Sequence, residues 1–110
     1  MSCRLNRPVK QLRNFDRRKA YRTVAKRLQW LLEFEQSTEF SFARWAWEER
    51  KLYAFIAKRS LEIDHFYWHF MSDVDIRIKE PAYAQIQREG VEALIQDLNA
   101  GKSEAAASRT

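Results

Sequence analysis

Both histidines of the chain lie in one short segment, EIDHFYWHFMSD, at residues 62–73. If this segment is helical, Glu62, His65, His69 and Asp73 fall within about one face, because they are separated by three, four and four residues. Imidazole and carboxylate groups arranged in this way are typical of zinc and di-iron centres. Di-iron bundles use two Glu-x-x-His motifs, and this sequence has a single one. We therefore expect no metal and no other cofactor, and both histidines at a surface or interface beside carboxylates.

Three other polar residues, Glu49, Ser60 and Asp64, interrupt an apolar helical stripe that extends over residues 42–71. A buried carboxylate must be paired or must shift its pKa. The two carboxylates are candidates for acid–base chemistry, but ion pairs with basic residues of a neighbouring helix are the simpler interpretation. Ser60 is interpreted as the end of a helix and not as a nucleophile. The single Cys3 can form neither an intrachain disulfide nor a cysteine zinc site. None of these residues is predicted to be catalytic.

The strongest pattern is a concentration of positive charge at the start of the chain. Residues 1–27 hold ten Lys and Arg side chains and one Asp, whereas the remainder holds ten basic and fourteen acidic side chains. Basic side chains that contact phosphates release counterions, which gives binding that weakens with salt. We predict a non-enzymatic nucleic-acid-binding protein, a small regulator or accessory factor for DNA or RNA. Its predicted phosphate contacts are Arg13, Arg17, Arg18, Lys19, Arg22, Lys26 and Arg27.

The aromatic residues support an alternative function. Fifteen of the 110 residues are Phe, Trp or Tyr, and ten of them lie between Phe40 and Phe70. Four aromatic residues, Trp30, Phe34, Phe40 and Trp47, lie off the main apolar stripes, so we predict that they pack a second subunit of a homodimer or stack on bases. In the alternative, these aromatic faces bind a partner protein with an acidic surface. A metal-dependent enzyme based on the His65–His69 row is a distant third hypothesis.

The elements that must position these groups are predicted to be helices, since no glycine or proline occurs between Pro8 and Pro81. A first helix is expected over about residues 15–36, and a second from about residue 39 with Ser37 or Thr38 as its N-cap. A continuous helix to residue 71 would span ~50 Å, so we favour a break near Arg59–Ser60 over a helix that extends beyond its own domain.

Residues 62–71 fit a helix and a strand about equally well. The segment DVDIRIK alternates Val74, Ile76 and Ile78 with charged residues, which predicts a short strand. A last helix is expected to begin at Pro81 and to end just before Gly101.

The predicted fold class is therefore a mostly α, small single-domain protein with three main helices and a possible strand or β-hairpin near 64–79. Its expected divisions are a basic arm at 1–14, a helical domain at 15–100 and a disordered tail at 101–110. We find neither a secretory h-region nor an apolar run of membrane-spanning length, so a cytoplasmic protein without a membrane partner is expected.

Overall fold

The computed structural model describes residues 14–101, with side chains from residue 16 onwards. This part of the chain folds into one mostly helical globule without strands. The prediction of a mostly α protein is therefore confirmed. Its helices are α1 (Asn14–Glu35), α2 (Phe42–Lys58), α3 (Phe66–Ser72), α4 (Val74–Lys79) and α5 (Pro81–Asn99). The predicted arm and tail, apart from residues 14 and 101, lie outside the described residues.

The core is built on the contact between the first and last helices. Both carry apolar residues at steps of three and four, so each presents one continuous apolar face. Burying one such side chain contributes about 1.5–3 kcal/mol to stability. The buried residues of this contact include Tyr21, Val24, Leu28 and Leu31 on α1, and Val91, Leu94 and Leu98 on α5.

Helix α2 begins later than the sequence predicts. Ser37 does not cap it: its hydroxyl donates to the carbonyl of Phe34 at 2.8 Å and so closes the end of α1. Ser41 is the N-cap, with extended backbone and with its Oγ accepting a hydrogen bond from the amide of Arg44 at 3.0 Å. The intervening residues fold as turns, because Ser37 satisfies a helix-end carbonyl instead of a helix-start amide.

The predicted break after α2 is confirmed, and Ser60 makes it. Its φ of +53° is the left-handed conformation that ends many helices. The amide of Ser60 donates to Ala57, and the amide of Leu61 donates to Ile56 at 3.1 Å, so the last carbonyls of α2 are satisfied. Asp64 stands two residues before α3, and its Oδ1 accepts a hydrogen bond from the amide of Phe66, the first residue of that helix, at 2.9 Å. Two of the three polar interruptions in the stripe thus have local backbone roles.

The strand or hairpin predicted near 64–79 is wrong, since these residues form the short helices α3 and α4. The alternation of Val74, Ile76 and Ile78 is misleading because Ile76 and Ile78 are exposed. The residues of α4 that face the interior are Val74 and Arg77, three positions apart as a helix requires. One of these two buried residues is charged, so hydrophobic periodicity does not show the helix.

Arg77 is held in the interior by a network of polar groups. Its Nε and Nη2 donate to the carboxylate of Glu35 at 2.9–3.1 Å, and its Nη1 donates to Gln87 Oε1 at 2.7 Å and to the carbonyl of Phe70. The guanidinium also lies 4.0 Å from the ring centre of Phe70. Gln87 in turn donates to Asp73, so the network joins α1 to the α3–α4 junction and α5. A buried charge is tolerated only with this degree of pairing.

Helix α5 has the predicted ends, with Pro81 in its first turn and Gly101 just past it at φ +75°. Gly90, in its middle, admits the ring of Phe66. A Cβ built on Gly90 would lie 2.6 Å from Cζ of that ring, so the ring and the backbone approach more closely than any side chain permits. The glycine that weakens the helical pattern therefore has a packing role.

Candidate nucleic-acid interface

The outer side of α1 carries a row of exposed basic residues. Lys19, Arg22 and Lys26 lie opposite the buried face and span about 10 Å of the helix at 1.5 Å per residue. Together with Thr23 they line a surface groove of about 320 Å³. The helix forms this surface because its apolar residues between positions 20 and 28 lie on the other side.

The charges of this row are not neutralised by the carboxylates that the structure describes. Arg18, Lys19, Arg22 and Lys26 are exposed, and none forms an ion pair with a carboxylate between residues 16 and 101. Arg17 is half-buried and donates to the hydroxyl of Tyr21 at 3.0 Å. The predicted contact Arg13 lies outside the described residues. The outer face of α1 therefore keeps a positive charge toward solvent.

Arg27 differs, because it belongs to a cluster of three cations around Glu48. This carboxylate is buried, and Arg44 Nε lies 2.9 Å from Oε2 while Lys51 Nζ and Arg27 Nη1 lie 3.4 and 3.7 Å from Oε1. Burial alone raises the pKa of Glu48, but the hydrogen bond from Arg44 and the charges of Lys51 and Arg27 outweigh it and hold the pKa below its ordinary value. Three cations on one carboxylate leave a net charge of about +2 at this point of the surface.

The Glu48 cluster extends the basic surface from α1 onto α2. Arg27 and Lys51 line a second groove of about 150 Å³ with Thr23 and Phe55, and Thr23 also lines the first groove. The side chains of Arg44 and Lys51 remain about half exposed, so they can contact a ligand as well as Glu48. Neither residue is among the predicted phosphate contacts, which rest on the charge excess before residue 28. Their spacing from Glu48 of four and three residues is the signal that would have found them.

Three of the four predicted interface aromatics pack within the chain. Phe34 is buried, and its ring lies parallel to Trp30 at 5.0 Å and 5.5 Å from Phe40. Trp30 and Phe40 are half-buried against the core, and Arg44 lies over the Trp30 ring. Trp47 is different: it is 50% exposed, with Arg50 and Lys51 near its ring. A role in self-association remains a prediction for these residues.

The residues of the opening histidine row do not converge. His65 and His69 are exposed neighbours whose ring centres are 4.8 Å apart. The Asp73 carboxylate instead accepts hydrogen bonds from Tyr83 at 2.6 Å and from Gln87 at 3.2 Å, within the buried network. Within residues 16–101, no group of three or more His, Cys, Asp or Glu side chains is arranged to hold a metal ion.

Among the helices of residues 14–101, none combines the length and the apolar character that crossing a membrane requires. No model of a protein family matches this chain. Comparisons with curated proteins and with solved structures also give no match.

Proposed function

We propose that this protein binds nucleic acid through the basic surface formed by α1 and the Glu48 cluster of α2. The observation that carries the proposal is the lack of pairing along α1: the Lys19–Arg22–Lys26 row meets solvent without a neutralising carboxylate in the described part of the chain. Such a row attracts a polyanion, whereas cations that are already paired with acidic groups attract it more weakly.

The arrangement favours backbone phosphates over bases as the contacted groups. The row is made of flexible Lys and Arg side chains on the outside of a helix, and the Glu48 cluster adds Arg27, Arg44 and Lys51 at its edge. These groups form charge-assisted hydrogen bonds with phosphate oxygens whatever the base sequence. The expected binding is therefore strongly dependent on salt and weakly dependent on sequence.

The test is a salt titration of binding to fluorescent duplex DNA, single-stranded DNA and RNA. The variant Lys19→Gln/Lys26→Gln removes two charges from the α1 row, and Lys58→Gln/Lys79→Gln removes two exposed lysines elsewhere. If both α1 lysines contact phosphates, the slope of log K against log salt for duplex DNA becomes shallower by about 2 in the first variant. The control variant should retain the wild-type slope.

Two results would contradict the proposal. One is the absence of binding to any of the three nucleic acids at ~50 mM salt, where electrostatic binding is strong. The other is an equal loss of slope in both double variants, which would show that only net charge matters and not the α1 surface.

A protein-interaction module is the second candidate, and the exposure of aromatic rings favours it. Trp47 and Phe42 on α2 are 50% and 54% exposed. Exposed rings of this size are common at protein interfaces. A partner that is retained from lysate after nuclease treatment, and lost in Trp47→Ala but not in Lys19→Gln/Lys26→Gln, would favour this function over the first.

A further inference from the structure

A second surface site lies on the other edge of α2, away from the basic groove. Glu49, Arg50 and Tyr53 of α2 and Trp68 of α3 line a mainly apolar pocket of about 290 Å³. The rings of Tyr53 and Trp68 meet edge to face, with centres 5.6 Å apart and planes inclined at 64°. Tyr67 stands behind Trp68 at 81° to it, with ring centres 4.6 Å apart. Two rings inclined to each other therefore line this part of the surface, and the buried ring of Tyr67 supports one of them.

The carboxylate in this pocket lacks the expected ion-pair partner among residues 16–101. The side chain of Glu49 forms no ion pair and no hydrogen bond with any described residue. Its burial raises its pKa, and Arg50 opposes this effect only in part. A half-buried carboxylate without an ion-pair partner attracts a cation, because the cation would stabilise its charge.

The neighbouring phenol is also unsatisfied. The hydroxyl of Tyr67 is fully buried and has no hydrogen-bond partner among the described residues. Burial raises the pKa of this phenol, and the negative charge of Glu49 raises it further. Glu49 lines the pocket together with the rings of Tyr53 and Trp68, and Tyr67 packs against Trp68. Electron-rich rings and a negative charge that Arg50 offsets only in part thus occur together at one point of the surface.

We propose that this pocket binds a trimethylammonium group. Such a cation is attracted to the faces of Trp and Tyr rings, and its methyl groups fit an apolar lining where a hydrated ammonium would have to lose its water. Glu49 supplies the opposite charge without requiring a hydrogen-bond donor, which a quaternary nitrogen lacks. Arg50 is the one unfavourable group, and its guanidinium lies near the ring of Trp47, 5.8 Å from its centre.

The proposal predicts opposite effects for two adjacent residues. Glu49→Gln should weaken binding about three- to tenfold, because it removes the attracting charge and leaves the shape unchanged. Arg50→Gln should strengthen binding, because it removes the repelling charge. Trp68→Ala should abolish binding, whereas Phe42→Ala, a change at an exposed ring outside the pocket, should leave it within about twofold of wild type.

The experiment is a titration with choline, followed by amide and indole chemical shifts of the full chain. Its key control is 3,3-dimethylbutan-1-ol, which has the shape of choline and no charge. A parallel titration with Nε-trimethyllysine and with lysine shows whether an amino-acid source of the group is accepted and whether methylation is needed. The spectrum of each variant reports whether it remains folded. If Trp68→Ala unfolds, Glu49→Gln still tests the proposal, because it changes a half-buried side chain without changing its shape.

The expected result is saturable shifts at Tyr53 and Trp68 with choline and much smaller shifts with the uncharged alcohol. Equal binding of the two would overturn the proposal in favour of an apolar ligand. So would the absence of any pocket shift at about 100 mM choline, or unchanged affinity in both Glu49→Gln and Arg50→Gln. None of these results depends on whether the α1 surface binds nucleic acid.

Discussion

Arg77 and Glu35 are 42 residues apart in the sequence and form a two-nitrogen ion pair in the interior, with both side chains almost completely buried. The pair connects the last turn of α1 to the short helix α4. Arg88 of α5 approaches the same carboxylate at 4.0 Å. The ion pair holds a helix that buries little apolar surface of its own, since Ile76 and Ile78 are exposed.

We expect Arg77→Leu to lower the free energy of unfolding by about 3–5 kcal/mol, because it leaves the Glu35 carboxylate buried without its main partner. The double variant Glu35→Leu/Arg77→Leu should lose less than the sum of the two single changes, since it removes both charges together. Urea unfolding followed by circular dichroism measures these differences. Additive losses would show that the two residues act independently.

Ser60→Gly is expected to stabilise the protein by about 1 kcal/mol, because glycine adopts the positive φ of this position without the steric penalty of a Cβ. Ser60→Ala, which keeps the Cβ, should bring no such gain. The midpoints of urea unfolding for the two variants give the comparison. A gain of the same size in both would mean that the backbone conformation at residue 60 is not the cause.

Gly90→Ala should destabilise the fold although alanine is the better helix former by about 1 kcal/mol. The new methyl group would displace the ring of Phe66, which packs directly on the glycine. In a Phe66→Ala background the same change should become stabilising by about 1 kcal/mol, since the obstacle is gone. A double-mutant cycle measures this reversal, and a Gly90→Ala effect of the same sign in both backgrounds would refute the close contact.

Glu48 is expected to make the protein less stable in acid. Its folded-state pKa is lower than the ordinary value of 4.5. Its contribution is therefore complete above that value, and it disappears as the pH falls through the folded-state pKa. Glu48→Gln should lose about 1–2 kcal/mol at pH 7 and show a weaker decrease in stability below pH 4.5 than wild type. Urea unfolding at a series of pH values tests this, and parallel curves for the two proteins would exclude it.

Glu49 should have the opposite effect on the pH dependence of stability. Burial raises its folded-state pKa above 4.5, so the folded protein takes up a proton more readily than the unfolded chain. Its ionised form therefore destabilises the fold at neutral pH, and this effect is relieved as the pH falls through the folded-state pKa. Glu49→Gln should raise the unfolding midpoint at pH 7, while the exposed control Glu62→Gln should not. A lower midpoint for Glu49→Gln would mean that the carboxylate has a partner in solution.

Sequence patterns that act over a few residues predicted much of this protein. Local patterns predict the class, the three long helices, the break at Ser60 and the ends of α5. They are hydrophobic periodicity, the preference for Pro81 at a helix start and the preference for Gly101 just past a helix end. The exposure of Lys19, Arg22 and Lys26 follows in the same way, because they lie opposite an apolar stripe.

Only the tertiary structure decided where the remaining charges lie. Arg77 is buried with Glu35 of α1 as its partner, and it lies on a helix, residues 74–79, although the apolar residues there alternate. Arg44 and Lys51 lie within four residues of Glu48, but Arg27 reaches this carboxylate only in the folded chain. Nothing local to Glu49 indicates that it has no ion-pair partner within residues 16–101. Local sequence sets backbone preference and amphipathicity, but the burial of a charge depends on groups that only chain folding brings within a few ångströms.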